Sequence, residues 1–69
     1  MEEKKIKFTQ TSDVQEFVKA AADCNFDINM HYERAIVDAK SFLGVLSLGL
    51  PKIVTVKYVG QNRTFESIL

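Results

Sequence analysis

Three side chains of this 69-residue chain are of types that could carry chemistry: one histidine, one cysteine and one serine at the start of an apolar stretch. His31 is the only histidine, so it is the only residue that could hold a phosphoryl group on an imidazole. Polar and apolar residues alternate around it, which places His31 opposite Ile28 and Met30 and predicts that it points to solvent. No helix N-terminus is expected beside it to stabilise a phosphate. We therefore interpret His31 as an exposed residue in the middle of a strand.

Cys24 is the only cysteine, so the chain cannot form an internal disulfide, which is typical of a reducing compartment. Without a second cysteine or a neighbouring histidine, neither a metal site nor a nucleophilic site is predicted. Nine basic and nine acidic residues balance, which argues against nucleic-acid binding and against an anionic membrane surface. The sequence shows no signal peptide and no apolar run of membrane-spanning length. We expect a cytoplasmic domain without cofactor or metal.

The apolar stretch over residues 40–50 is the feature around which the other segments are arranged. Ser41 stands where a hydroxyl can cap a helix, and the large apolar residues that follow it recur at spacings of three and four. Gly49 followed by Pro51 is a typical stop signal. The pattern predicts a short helix over residues 41–48 that is apolar on all sides, so it is either deeply buried or covered by something that docks onto it.

The remaining segments predict a single α+β domain over residues 1–69. Alternation predicts strands at 5–9, 28–32 and 35–38, the last two forming a hairpin, and β-branched residues predict a strand at 53–59. An amphipathic helix is expected over residues 14–24, with a capping box at Ser12 and Gln15 and a C-cap at Asn25. A short helix should begin near Thr64. The resulting order, β-α-β-β-α-β with a stub of helix, predicts one sheet with its helices on a single face.

The segment from Asp27 to Gly49 resembles HPr, the histidine-containing phosphocarrier of the bacterial sugar phosphotransferase system. The resemblance rests on the eleven residues that follow the hairpin: a Lys-Ser pair, two apolar residues and a glycine, and then an apolar-Ser-Leu-Gly ending. It implies the HPr fold, an open-faced β-sandwich with helices on one side. The final helix, which is long in that family, should be truncated here.

The chain departs from the family pattern before the first helix. HPr proteins carry their phosphoryl group on a histidine in that loop, accompanied by an arginine. Residues 10–13 are Gln-Thr-Ser-Asp and offer neither. The resemblance therefore implies a non-catalytic HPr-like module that is not an enzyme and cannot carry phosphate in the usual place.

The resemblance also implies candidate sites around the apolar helix. Phe42, Leu43 and Leu46 match the apolar patch through which HPr docks its partners. Ser41 matches a serine that a dedicated kinase phosphorylates in many relatives, and Lys40 could pair with the phosphate there. The implied partners are a phosphotransferase-system enzyme, the serine kinase or a transcriptional regulator.

Other interpretations of the same residues remain open. Ser41 could serve only as a cap, and the apolar residues could be core or could form the interface of a homodimer. Two alternative functions also remain: a true phosphotransfer component that uses His31, and a structural self-associating domain.

Overall fold

The protein is described by a computed structural model that covers residues 1–69, and its element order is the predicted β-α-β-β-α-β followed by a short third helix. The fold class is confirmed. The elements are β1 (Glu2–Phe8), α1 (Thr11–Ala22), β2 (Ile28–Tyr32), β3 (Ala35–Asp38), α2 (Phe42–Leu46), β4 (Lys52–Tyr58) and α3 (Arg63–Glu66). None of the three helices has the length and apolar character needed to cross a membrane.

The four strands form one antiparallel sheet in the order β1-β4-β2-β3. In β4, Val54, Val56 and Tyr58 are buried, whereas Ile53, whose side chain points to the opposite face, is exposed. This alternation arises because successive strand side chains point to opposite faces, and the helices cover only one of those faces. The other face of the sheet is open.

The core lies between the covered face and the helices, and all thirteen of its buried residues are apolar or aromatic. An edge-to-face chain of rings runs through it: Phe8 contacts Phe17, Phe17 contacts Phe65, and Phe65 contacts Tyr58, with centroid separations of 5.3–5.5 Å. These contacts join β1, α1, α3 and β4, so the short third helix is tied to the core through Phe65.

The predicted start of the first helix was wrong. α1 begins at Thr11 with Gln10 as its N-cap, and the capping carboxylate belongs to Asp13 rather than to the predicted pair Ser12 and Gln15. The Asp13 Oδ2 atom accepts hydrogen bonds from the backbone N–H groups of Thr9 at 2.9 Å and Gln10 at 3.2 Å. Ser12 is exposed in the first turn. A carboxylate in that turn also complements the helix dipole, which favours this register.

Other boundaries also differ from their predictions. α1 ends at Ala22 with Asp23 as its C-cap, so Asn25 does not end it. β1 begins at Glu2 rather than at the predicted residue 5, because residues 2–4 also pair with β4. α2 is shorter than the predicted residues 41–48, and α3 begins at Arg63 with Asn62 as its cap.

Candidate functional site

Ser41 lies at the junction between β3 and α2, where it caps the helix as predicted. A tight turn after β3 brings it there: the Ser41 N–H donates to the Asp38 carbonyl at 3.0 Å, and the Lys40 N–H donates to Asp38 Oδ1 at 2.9 Å. Ser41 then has extended backbone angles, and its Oγ accepts from the Gly44 N–H at 3.1 Å. This bond satisfies one of the N–H groups that the first helical turn leaves unpaired. The hydroxyl thus has a structural role while Ser41 remains exposed.

The ammonium group of Lys40 forms its hydrogen bond with another segment of the chain rather than with Ser41. This group donates to the Cys24 carbonyl at 2.9 Å, just beyond the C-terminal end of α1. A cation is favourable there because the helix dipole leaves partial negative charge at that end. The predicted pairing of Lys40 with a phosphate on Ser41 would require this bond to break. The carboxylate of Asp38, which accepts from the Lys40 N–H, would oppose the phosphate.

The apolar residues of α2 differ in how much of each side chain is exposed to solvent. Val45 is buried, Phe42 and Leu46 are half-buried against the core, and Leu43 is 76% exposed. A five-residue helix lying on a sheet can bury only one side, so the residue directed away from the core has no cover. Of the three predicted docking residues, Leu43 is the exposed one, and Phe42 and Leu46 flank it. We call Phe42, Leu43 and Leu46 the α2 patch.

Lys52, which the sequence did not single out, holds the other end of α2. Its ammonium group donates to the Leu48 carbonyl and lies 4.0 Å from the centroid of the Tyr32 ring. It thereby links the end of the α2 segment to β2 through a carbonyl contact and a cation–π contact. The alternation of β4 was a signal that could have found it, because Lys52 occupies the same face as the buried Val54.

His31 and the segment before α1 are separate features. His31 lies in the middle of β2, opposite Ile36 of β3 and Thr55 of β4, on the open face of the sheet. Only Thr9 and Gln10 connect β1 to α1, and their N–H groups both donate to the Asp13 carboxylate. The structure therefore brings no imidazole to the N-terminus of α1.

Cys24 is buried, and its thiol contacts the Ala20 carbonyl at 3.6 Å. Burial raises the pKa of this thiol, and the positive charge of Lys40 only partly offsets that rise. A buried thiol that stays protonated is a poor nucleophile and a poor metal ligand. Across residues 1–69, no group of three or more histidine, cysteine or acidic side chains is arranged to hold a metal ion.

Comparison with known proteins agrees with this architecture. The chain resembles the crystal structure of HPr-C-His from Thermoanaerobacter tengcongensis, with a TM-score of 0.78 and 22% sequence identity. The match covers 99% of this chain and 85% of that one, and at this identity it shows a shared fold. Residues 10–63 match the sequence model of the PTS HPr component phosphorylation site family. Because that match spans well over half of the sequence and the fold agrees with it, the chain belongs to the HPr family.

Proposed function

We propose that this protein is a non-catalytic HPr-like binding and regulatory module of the bacterial cytoplasm, which docks a protein partner through the α2 patch. The observation that carries the proposal is the exposure of Leu43, a large apolar side chain left 76% open on a helix whose opposite side is buried. Placing such a side chain in water forgoes about 1.5–3 kcal/mol of burial free energy, which a partner could recover on docking. Half-buried Phe42 and Leu46 would hold the rim of the contact in place.

The segment before α1 supports a non-catalytic role. A phosphoryl group carried there would need a nucleophilic side chain and free backbone N–H groups. Thr9 and Gln10 offer no imidazole, and their N–H groups are already bonded to the Asp13 carboxylate. That carboxylate also carries the same sign of charge as a phosphate. An incoming phosphoryl group would therefore meet repulsion where the usual carrier site lies.

Ser41 is the residue through which docking could be regulated. Its hydroxyl is exposed and lies two residues before Leu43, so a phosphate there would place about two negative charges at the edge of the α2 patch. The Lys40 ammonium group is bound to the Cys24 carbonyl, so it does not neutralise the phosphate while that bond is kept. Phosphorylation should therefore weaken apolar docking, or favour a partner that presents arginine to the phosphate.

The docking proposal can be tested by titrating the isotope-labelled chain with purified candidates: the general enzyme of the phosphotransferase system, the HPr serine kinase and a transcriptional regulator that binds HPr. We expect chemical-shift changes centred on the α2 patch with at least one of them. Leu43→Asp should weaken that binding by about tenfold or more. Ile53→Asp is the matched control, because Ile53 is 59% exposed but lies on the open sheet face. Equal losses from both substitutions would contradict docking through α2.

The absence of phosphocarrier activity has a separate test. The chain is incubated with phosphoenolpyruvate and the general enzyme, next to His31→Ala and an ordinary HPr as positive control. We expect label on the ordinary HPr only, because His31 lies mid-strand on the open sheet face. Stable label on this chain that His31→Ala removes would establish the phosphotransfer alternative. For the regulatory part, the HPr serine kinase should label the chain but not Ser41→Ala.

A further inference from the structure

The two edges of the sheet differ in how well they are protected against pairing with another chain. β1, at one edge, carries Lys4, Lys5 and Lys7, and charged residues of this kind discourage association of edge strands. β3, at the other edge, has the sequence Ala-Ile-Val-Asp and no lysine, and its Ile36 is 63% exposed. An edge strand that lacks such lysines and exposes an isoleucine near its middle is a site where a further strand can add.

The hydrogen bonds of the hairpin show which backbone groups of β3 are free. The Ala39 N–H donates to the Ile28 carbonyl at 2.9 Å, so the odd-numbered residues of this strand face β2. Because backbone groups of successive strand residues point to opposite sides, the N–H and C=O groups of Ile36 and the N–H group of Asp38 point away from the sheet. These are the groups that an added strand would use.

We propose that β3 pairs antiparallel with β3 of a second copy of this chain, about a two-fold axis at Ile36. In this register Ile36 lies opposite Ile36 of the second copy, and Ala35 lies opposite Val37. Arg34 lies opposite Asp38 on both sides of the axis. The outward-facing N–H and C=O groups of Ile36 are exchanged between copies, and each Asp38 N–H meets the carbonyl of the opposite Arg34. The two four-stranded sheets become one, with all helices on the same face.

Charge complementarity selects both the second copy as the occupant and this register. Arg34 and Asp38 are both exposed and lie four residues apart, so a two-fold axis halfway between them sets each against its opposite charge. Moving the axis to Val37 would instead place Arg34 opposite Lys40, and moving it to Ala35 would leave Asp38 opposite the uncharged Tyr32. Only the axis at Ile36 pairs both charges and covers the exposed isoleucine with its own copy.

The size of the contact sets its strength. Five paired residues bury much less than the roughly 1,200 Å² that stable specific interfaces reach, so the association should be weak. We expect a monomer–dimer equilibrium that is visible between about 10 μM and 1 mM of protein. This inference does not rest on the proposed function, and Leu43→Asp should leave the dimer intact.

Sedimentation and concentration-dependent chemical shifts of the full chain test the pairing. Wild type should dimerise, with shifts at residues 34–38, and Ile36→Lys should weaken the dimer by about tenfold or more because two ammonium groups then meet at the axis. Ile53→Lys is the matched control, as Ile53 is about equally exposed but lies on a central strand, and it should dimerise like wild type. A wild type that stays monomeric at 1 mM, or equal losses from both substitutions, overturns the proposal.

A charge exchange distinguishes this register from any other use of the same edge. Arg34→Glu and Asp38→Lys should each weaken self-association, because each leaves like charges opposite one another. When the two variants are mixed, Glu at 34 faces Lys at 38 and Arg34 faces Asp38, so a heterodimer should form. Thermal melts establish that both variants fold, since Asp38 also accepts a bond from the Lys40 N–H. A mixture of folded variants that associates no better than its components overturns the assigned register.

Discussion

Gly60 provides the sharpest test of how the domain is held together. It lies just after β4 with φ at +149°, in the region that side-chain-bearing residues rarely adopt. A Cβ atom built there would lie 2.4–2.7 Å from three atoms of the Phe26 ring. That ring is stacked on Tyr58 at 5.8 Å between centroids, and Tyr58 contacts Phe65 in the core. The ring therefore cannot move aside without disturbing the aromatic packing.

The expected cost of Gly60→Ala follows from these two effects. Overpacking costs about 1–3 kcal/mol and a disfavoured backbone conformation about as much again, so we expect a loss of about 3 kcal/mol. That is a large part of the roughly 3–10 kcal/mol expected for a 69-residue domain. Gly49→Ala is the control, because φ is +85° but the nearest atom is the flexible end of Lys52 at 3.8 Å. It should cost about 1 kcal/mol, from the backbone alone.

Urea unfolding followed by circular dichroism measures both variants, alone and in a Phe26→Ala background. Removing the ring should lower the cost of Gly60→Ala by about 1 kcal/mol or more, because only the backbone conformation then remains unfavourable. The reasoning would be refuted if Gly60→Ala cost no more than Gly49→Ala, or if its cost were the same with and without the Phe26 ring.

Three further predictions concern the site and its surroundings. Ser41→Ala should lower the free energy of unfolding by about 1 kcal/mol and Ser41→Asp by much less, since aspartate also caps helices; equal losses in urea titrations would contradict a capping role. Lys52→Met should increase amide exchange in α2 because it removes the contacts to the end of that segment and to Tyr32, and unchanged exchange would show that α2 is held by its apolar side alone. Burial raises the pKa of the Cys24 thiol and of the Tyr58 hydroxyl, so both protonated forms are favoured in the folded state. The stability that these two protonated groups contribute to the fold should be complete below pH 9.0, the ordinary pKa of the thiol, and should decrease as pH rises through the folded pKa values. Cys24→Ala should lessen this loss of stability at alkaline pH, and an identical pH profile would exclude the thiol as a cause.

The open sheet face illustrates how far strand periodicity can be trusted. Alternation alone placed Ile28 and Met30 inside and His31 on the opposite face, and the structure agrees on both faces because the period of two is fixed by the backbone. His31 is half-buried there, however, where the pattern predicted an exposed residue. The same argument could not say that His31 would lie between Thr55 and Ile36. That arrangement depends on β2 pairing with β4 across a long stretch of chain, which no local pattern encodes.

The helix boundaries illustrate the opposite case, in which the same sequence pattern is compatible with more than one helix start. Ser12 with Gln15 and Asp13 with the preceding backbone are both reasonable caps for α1, and the structure uses Asp13. The choice depends on where β1 ends, since the carboxylate must reach the N–H groups of Thr9 and Gln10. For α2 the cap at Ser41 had no nearby competitor, and that prediction was confirmed.

The sequence by itself determined the order of elements, the capping of α2 by Ser41 and the HPr resemblance, because hydrophobic period, capping chemistry and stop signals are local properties of the chain. Tertiary structure decided which apolar residue of α2 is left in water, where the ammonium groups of Lys40 and Lys52 are bound, and which sheet edge is unprotected. Those features arise from contacts between segments that are distant in sequence. They are also the features that carry the proposals, since exposure and free hydrogen-bonding groups exist only once the core has been packed.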